Sequence, residues 1–506
     1  MGIYILMIKL FIAAIFMNLS LFASDLFIQN GHYQFTYDNL KLPANEKLGL
    51  LGTSYLYDFD NVYLGLGIYS AISGERGGFF TGGFEAGYKL DLTDNLTLDT
   101  GLFVGGGGGG AAPQGGGLMV RPHIGLSYQI SGYKVGVGLS KVEFPNGDIN
   151  SNQIYTQFSI PFQAVHKKNT NSPMIIDDLE NFMRKTKTQM GWSDTYFALT
   201  MQKYIMPSNI KNTAGIPVKR DISLVGFEYG RYFDKNIFGF IETAGAASGG
   251  ASGYAEILGG IGYKKSFTTH FSGYIKASVG AAGGGKVATG GGAVHKESAG
   301  LYVTLNKKVA LNAGIGRMSA MSGGFKATTL NFGFDYKLKS LSIGKNLQPL
   351  ITYQSFGDYE VDIKFSNQIY LGNKNIRKSG TDSTSLKLIG FKVDRFLDKN
   401  YFISGQALGA YSGHSGGYAV GLVGFGKKIA FREHWDLITQ LSIGAAGGGN
   451  VATGSGLIYQ PMIGLEYKIN DSFGLSTSFG KVKAVGGKLD ATVLDFGFSY
   501  KFRTID

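Results

Sequence analysis

The sequence predicts an all-β protein: an antiparallel meander of three repeats of about eight strands, closed as a transmembrane β-barrel. Three observations predict it. The chain repeats itself. Inside each copy, apolar residues alternate with a period of two, the signature of a strand. After the first 23 residues, no apolar run approaches the ~20 residues that a membrane helix needs.

The repeat is plainest in glycine. Residues 280–292 read GAAGGGKVATGGG and residues 444–456 read GAAGGGNVATGSG; a weaker copy, GGGGGGAAPQGGG, runs from 105 to 117. Flanking segments recur as well. RYFDKN at 231–236 matches RFLDKN at 395–400 and YDFDN at 57–61, and GFDYKL at 333–338 matches GFSYKF at 497–502. Repeat units are expected over 24–163, 192–338 and 339–506, with a linker at 164–191.

Alternation defines the strands. Leu98, Thr100, Leu102 and Val104 share one face, opposite Asp99, Gly101 and Phe103. In the second copy Ile275, Ala277 and Val279 stand opposite Tyr274, Lys276 and Ser278; the third copy sets Leu437, Thr439 and Leu441 against Ile438, Gln440 and Ser442. Segments of the first copy begin near His32, Lys47, Val62, Phe79, Leu96, Leu118, Tyr133 and Asn150. Each is roughly 10–15 residues, enough to cross a bilayer at a barrel's tilt. Short turns between them make neighbours antiparallel, since a parallel partner needs a long crossover. One end of each unit has tight, charged turns flanked by aromatics, such as Asp58 to Asn61 and Phe233 to Asn236. Glycine-rich loops, such as Ser73 to Gly78 and Ser248 to Gly253, mark the other end. The tight turns are expected on the periplasmic side.

Composition narrows the class. Glycine reaches 78 residues while proline is only 10; with 36 Phe and 29 Tyr, this is not the composition of a disordered chain. There is no cysteine, which excludes disulfides, thiolate nucleophiles and Cys-based metal sites. The formal net charge is +12, but Lys and Arg are scattered without a continuous stripe, so nucleic acid is not expected as a partner.

The N-terminus has the parts of a secretory signal over 1–23. Lys9 supplies the charge, Leu10 to Phe16 the apolar core and Ala23 the small residue, giving cleavage before Ser24. A helix is expected in the linker between Ser172 and Gly191, with Ser172 as N-cap, Pro173 in the first turn and Ile175, Leu179, Phe182 and Met183 on one face.

The final strand resembles the C-terminal signature of Gram-negative outer-membrane β-barrel proteins, a polar residue, glycine, aromatic and terminal hydrophobic at fixed spacing. Asp495, Gly497, Tyr500 and Phe502 meet it; Asn331, Gly333, Tyr336 and Leu338 meet it again, and Arg503 to Asp506 overhang it. Local texture is similar to small eight-stranded outer-membrane barrels. The resemblance implies the cell outer membrane, insertion by the barrel assembly machinery, and outer-membrane lipids as partners; a periplasmic partner is left unspecified.

Candidate chemistry is sparse. Gly280 to Lys286 fits part of a phosphate-binding loop, but Val287 replaces the Ser or Thr and no helix pattern follows. His414 and Ser415 are adjacent in a loop, which on an extended segment sends them to opposite faces. No metal spacing occurs among seven histidines, and no cofactor is expected. Inward positions carry Glu85, Asp99, Glu228, Glu242, Glu256, Lys276, Lys392 and Asp394. These charges either line a pore or pair inside a narrow barrel.

Chains of this class generally form one barrel, so a single barrel of roughly 24 strands is the expectation, with three eight-stranded barrels as the alternative. Inward Phe238, Leu408 and Ile438, odd in an aqueous lumen, weigh toward the alternative. The single barrel implies a passive pore or export conduit. Three closed barrels imply a structural or partner-binding role. An outer-membrane lipid-modifying enzyme is the least supported reading, and no enzyme is expected.

Overall fold

The structure, a computed structural model, describes residues 25–506 apart from 171–173, 218–219, 345–346 and 353–355. The expected export signal, with Ala23 and Ser24, lies outside the described residues, as do Ser172 and Pro173. Among the described residues no helix is long and apolar enough to cross a membrane. The fold is all-β and antiparallel.

The first eight strands are β1 (Leu26–Lys41), β2 (Lys47–Phe59), β3 (Val62–Gly74), β4 (Phe80–Asp91), β5 (Leu96–Gly108), β6 (Leu118–Ile130), β7 (Tyr133–Glu143) and β8 (Asn150–Lys167). Helix α1 (Ile176–Thr186) follows. The second set is β9 (Met190–Ile205), β10 (Ile222–Tyr232), β11 (Ile237–Ser248), β12 (Ala255–Ser266), β13 (Phe271–Gly283), β14 (Ala293–Thr304), β15 (Val309–Ala320) and β16 (Lys326–Ile343). The third is β17 (Asp358–Tyr370), β18 (Leu386–Phe396), β19 (Tyr401–Ser412), β20 (Ala419–Arg432), β21 (Trp435–Gly447), β22 (Leu457–Lys468), β23 (Phe473–Ala484) and β24 (Asp490–Ile505).

Closure overturns the expected single barrel of roughly 24 strands. β16 returns to β9, from Thr328 opposite Ile205 to Ile343 opposite Met190, so β9–β16 form a closed barrel. β1 pairs with β8 from Leu26–Lys167 to Asp38–Tyr155, and β17 pairs with β24 from Asp358–Ile505 to Tyr370–Val493. Those two sets are joined by one pair, Arg503 with Lys167. The physical reason is lumen size: an eight-stranded ring is just wide enough for its own side chains to fill. Phe238 and Phe240 in one ring, and Phe402 and Ile438 in another, are buried fillers of that kind.

The tight turns are held by side-chain acceptors. Asp234 takes the N–H groups of Ile237 and Asn236, each at 2.7 Å, and Asp398 takes those of Tyr401 and Asn400 at the same distance. These donors, Ile237 and Tyr401 foremost, hold both exposed carboxyl groups below their ordinary range.

Strand ends run past the expected unit limits at 163 and 338, to Lys167 and Ile343. Helix α1 stops at Lys187, in the left-handed region at φ 54°, and Gly191 lies within β9 instead of ending the helix. The reason is a second core outside the barrels. Leu26, Val165, Leu179, Met190, Trp192, Leu341, Leu350 and Ile505 bury one another there, drawing on all three units and the helix. The C-terminal overhang belongs to this hub: Ile505 is buried in it, and Asp506 pairs with Arg395.

At the opposite end the glycine tracts join the barrels. The β3–β4 loop lies on the 280–292 tract, with Gly77 N–H donating to Gly290 O at 2.8 Å. The β11–β12 loop meets the 444–456 tract, where the Ser252 and Thr453 hydroxyls are 2.7 Å apart. The β19–β20 loop meets the 105–117 tract, with Gly417 N–H donating to Gly107 O at 2.9 Å. First unit to second, second to third, third to first: the contacts are equivalent and close a ring. A Cβ at Gly447 would overlap the Gly253 backbone nitrogen, whereas one at Gly259 would meet nothing within 4 Å. Gly447→Val is therefore expected to destabilise the seam by about 1–3 kcal/mol, the usual cost of overpacking. Gly259→Val should leave the heat resistance of the folded form unchanged. Gel mobility after graded heating compares the two.

Candidate functional site

Barrel interiors are where chemistry-bearing side chains meet. In the first unit Arg121 and Asp38 are fully buried, with Nε and Nη2 donating to the two carboxylate oxygens at 3.0 and 3.2 Å. Ser140 and Gln153 also donate to Asp38. Glu85 accepts from Ser54 at 2.5 Å, and Asp99 accepts from the Tyr63 hydroxyl at 2.8 Å with His123 3.5 Å away.

The second unit stacks three carboxylates along one lumen. Glu228 accepts from Tyr196 at 2.5 Å and from Lys276 at 2.6 Å. Glu242 accepts from Gln202 at 2.5 Å and from Lys296 at 2.7 Å. Glu256 accepts from the Tyr204 and Tyr254 hydroxyls, and Lys296 is 3.9 Å away. In the third unit Lys364 stands 3.2 Å from both Asp394 and Glu466, Lys392 stands 3.4 Å from Asp394, and Lys501 pairs with Glu466.

Apolar layers close the charged layer from either side. Toward the glycine-rich end, Leu48, Tyr69, Phe79 and Phe144 fill the first unit, Tyr204, Tyr254 and Phe325 the second, and Tyr370, Ile376 and Tyr418 the third. Toward the tight turns, Tyr196, Phe238 and Phe240 pack together in the second unit and Phe396, Phe402 and Ile438 in the third. Beside Lys364 and Lys392 a void of about 10 Å³ remains, space for about one water.

All eight inward charges singled out from the sequence thus point into barrel interiors, seven of them buried and Lys276 10% exposed at its side chain, distributed over three lumens. The same interiors hold further charges that the sequence reading did not single out: Lys296 beside Glu242, Lys364 beside Asp394, and the pairs Arg121–Asp38 and Lys501–Glu466. Each sits at the same parity as a buried neighbour, Lys296 two residues from Val294 and Arg121 two from Met119. Extending the period-two reading through every strand would have found them.

Outside the interiors, His414 and Ser415 do not come together. His414 is exposed with Nδ1 3.3 Å from Asp382, while the Ser415 hydroxyl is buried. Lys286 occupies a left-handed turn after β13, and strand β14 follows where a phosphate loop would need a helix. Of the C-terminal signature, Asp495 accepts from Ser366 at 2.7 Å, and Phe502 is buried with its ring 4.2 Å from His166 of the first unit. Among the described residues no group of three or more His, Asp or Glu is placed to hold a metal ion.

Neither protein-family models nor curated proteins match the chain. Among solved structures it is similar to the outer membrane protein OpdK from Pseudomonas aeruginosa, at 9% identity over 95% of this chain and 100% of that chain, with a TM-score of 0.23. OccAB4 of Acinetobacter baumannii matches at 10% identity over 95% and 98%, with a TM-score of 0.24. The ferric enterobactin receptor PfeA of Pseudomonas aeruginosa matches at 8% identity over 94% and 81%, with a TM-score of 0.27.

The buried pairs make a sharp expectation. Lys276→Ala leaves Glu228 charged in a packed interior, a loss of roughly 3–5 kcal/mol. Lys276→Met combined with Glu228→Gln removes both charges and should recover most of that loss. Denaturant unfolding of the purified barrels measures both variants.

Proposed function

We propose that the protein is an integral outer-membrane protein whose barrels are closed and packed, with a structural or partner-binding role. One observation carries this reading: in the second and third units a layer of paired, buried charges lies between two apolar layers. The membrane part rests on the outward faces. Ile124, Leu139, Ile275, Ile315, Leu441 and Phe479, on strands of all three units, are exposed apolar residues, as lipid-facing positions of a barrel are. At the tight-turn end Tyr128, Tyr133, Phe267, Phe271, Phe431 and Trp435 are exposed, the aromatic girdle of a bilayer interface. Insertion by the barrel assembly machinery, with β24 as the strand it reads, belongs to the same proposal.

A passive pore or export conduit is the second reading. What favours it is the file of Glu228, Glu242, Glu256, Lys276 and Lys296 along one lumen, which would line a water path if the pairs separated. Planar-bilayer recording distinguishes the two. The packed reading expects outer-membrane fractionation, heat-modifiable gel mobility and no sustained conductance at either polarity. A stable open-channel conductance would favour the conduit and overturn the packed reading.

A further inference from the structure

At the glycine-rich mouth, the second and third units are built from the same parts with one exchange. In the second, the Tyr204 and Tyr254 hydroxyls both donate to the Glu256 carboxylate, at 2.7 and 2.9 Å. Strand register sets Tyr370 of the third unit where Tyr204 stands, since Tyr204 pairs with Ile222 and Tyr370 with Leu386. Val420 stands where Glu256 does, opposite Ala446 as Glu256 is opposite Ala282. Tyr418 corresponds to Tyr254: their carbonyls accept from Ala410 and Ala246 N–H, each at 2.9 Å. The third unit therefore keeps both tyrosines and lacks the carboxylate that they hold.

It also adds a cation. The β17–β18 loop lies on the glycine tract of its own unit, Lys378 N–H donating to Asn450 O and Ala452 N–H to Ile376 O, each at 2.9 Å. This buries Arg377, 2% exposed, within electrostatic reach of Tyr418. Arg377 Nη2 donates to the Gly413 and Thr384 carbonyls. Nη1 has no acceptor, and Nε has only Asp382, 3.7 Å away. Asp382 is engaged elsewhere, by Thr384 N–H at 2.8 Å and by His414 at 3.3 Å. The Tyr370 and Tyr418 hydroxyls are buried without an acceptor at hydrogen-bond distance. Donation from one to the other would still leave one O–H over. One layer deeper, Gln368, Gln406 and Gln460 bond to one another, and Asp495, opposite Gln368, accepts from Ser366 at 2.7 Å.

We infer that this mouth binds a small monocarboxylate anion in the place that Glu256 fills in the second unit. Its oxygens accept from the two tyrosine hydroxyls and from Arg377 Nη1. A carboxylate offers about four lone-pair sites, enough for these donors, and the bond from an ionised donor is the stronger kind. Buried donors without acceptors are costly, so occupancy removes a cost already built into the fold. Room comes from smaller neighbours: Leu489 and Val482 stand where the second unit has Phe325 and Met318. Entry requires the β17–β18 loop to lift from the 450–452 segment. The inference goes beyond the structural reading of the barrels and does not depend on the membrane-spanning role.

The test is equilibrium dialysis of the full mature chain in detergent against labelled acetate, in buffer free of chloride and phosphate. Wild type should take up a single saturable equivalent, displaced by formate but not by the same concentration of chloride or phosphate. Val420→Glu, which sets a carboxylate beneath the tyrosines as in the second unit, should abolish uptake. Arg377→Gln, and the isosteric Tyr370→Phe with Tyr418→Phe, should each weaken it at least tenfold. Absence of saturable uptake by wild type, or unchanged uptake in Val420→Glu, overturns the site. Chloride or phosphate displacing acetate better than formate does overturns the carboxylate assignment. Wild-type uptake and its competition profile decide the matter even where a variant does not fold.

Discussion

In the proposed membrane-spanning role, the architecture follows from the demand that each strand's backbone N–H and C=O groups find partners where water supplies none. Hydrocarbon leaves an open sheet edge unsatisfied at several kcal/mol per group, so a spanning sheet must close. The choice the chain makes is to close early, β16 onto β9 and β1 onto β8, after eight strands. Early closure sets the rest. A ring that narrow has no room for a water column, so inward positions must fill it. Any charge placed there must bring its counter-charge, as Glu242 and Lys296 do at 2.7 Å.

Closed rings then need a way to stay together, since lipid tails are as apolar as the barrels and supply no hydrophobic drive between them. Close approach of small residues is the remaining source of attraction, as in packed membrane helices. The glycine tracts provide it. A Cβ at Gly106 would overlap the backbone of Gly409, and one at Gly245 would press on Ala445. These positions fall at the same place in their units, so each barrel presents one surface to the barrel before it and another to the barrel after it. A head-to-tail contact of that kind closes only if its rotation closes, and here it closes at three. The hub of strand ends and helix α1 secures the opposite end, where Trp192 Nε1–H donates to Leu350 O at 3.1 Å.

Most strand positions were legible because the period-two pattern is a local property, set by which face each side chain takes. Leu98 to Val104 shows it: Asp99 and Phe103 are buried while Thr100 is exposed. Which strand closes on which was not legible, because β8 has the same pattern of faces whether it pairs with β1 or β9. Pairing across the lumen was hidden for the same reason: Lys276 on β13 meets Glu228 on β10, two strands that are not neighbours in the ring. The glycine tracts were visible as a repeat, but their use was not. Their partner surfaces lie in other copies of the unit, and only the assembled ring brings Gly78 against Gly284. The overhang after Phe502 departed from the familiar strand ending for a comparable reason: Arg503 pairs with Lys167 and reaches Asn169 of the linker, and Ile505 is buried in the hub.

Closure of the second unit on itself is the claim on which the account turns, and one cross-link tests it. Met201 and Phe332 face outward, directly opposite each other across the β9–β16 ladder, 67% and 60% exposed. The chain has no native cysteine to interfere. Met201→Cys with Phe332→Cys should form a disulfide on mild oxidation of the membrane-inserted protein, seen as a reductant-sensitive shift in gel mobility. Absence of that bond, together with ready cross-linking of a cysteine at 201 to one on the outward face of β8, would mean that β9 continues the sheet of the first unit, and the early-closure account would be wrong.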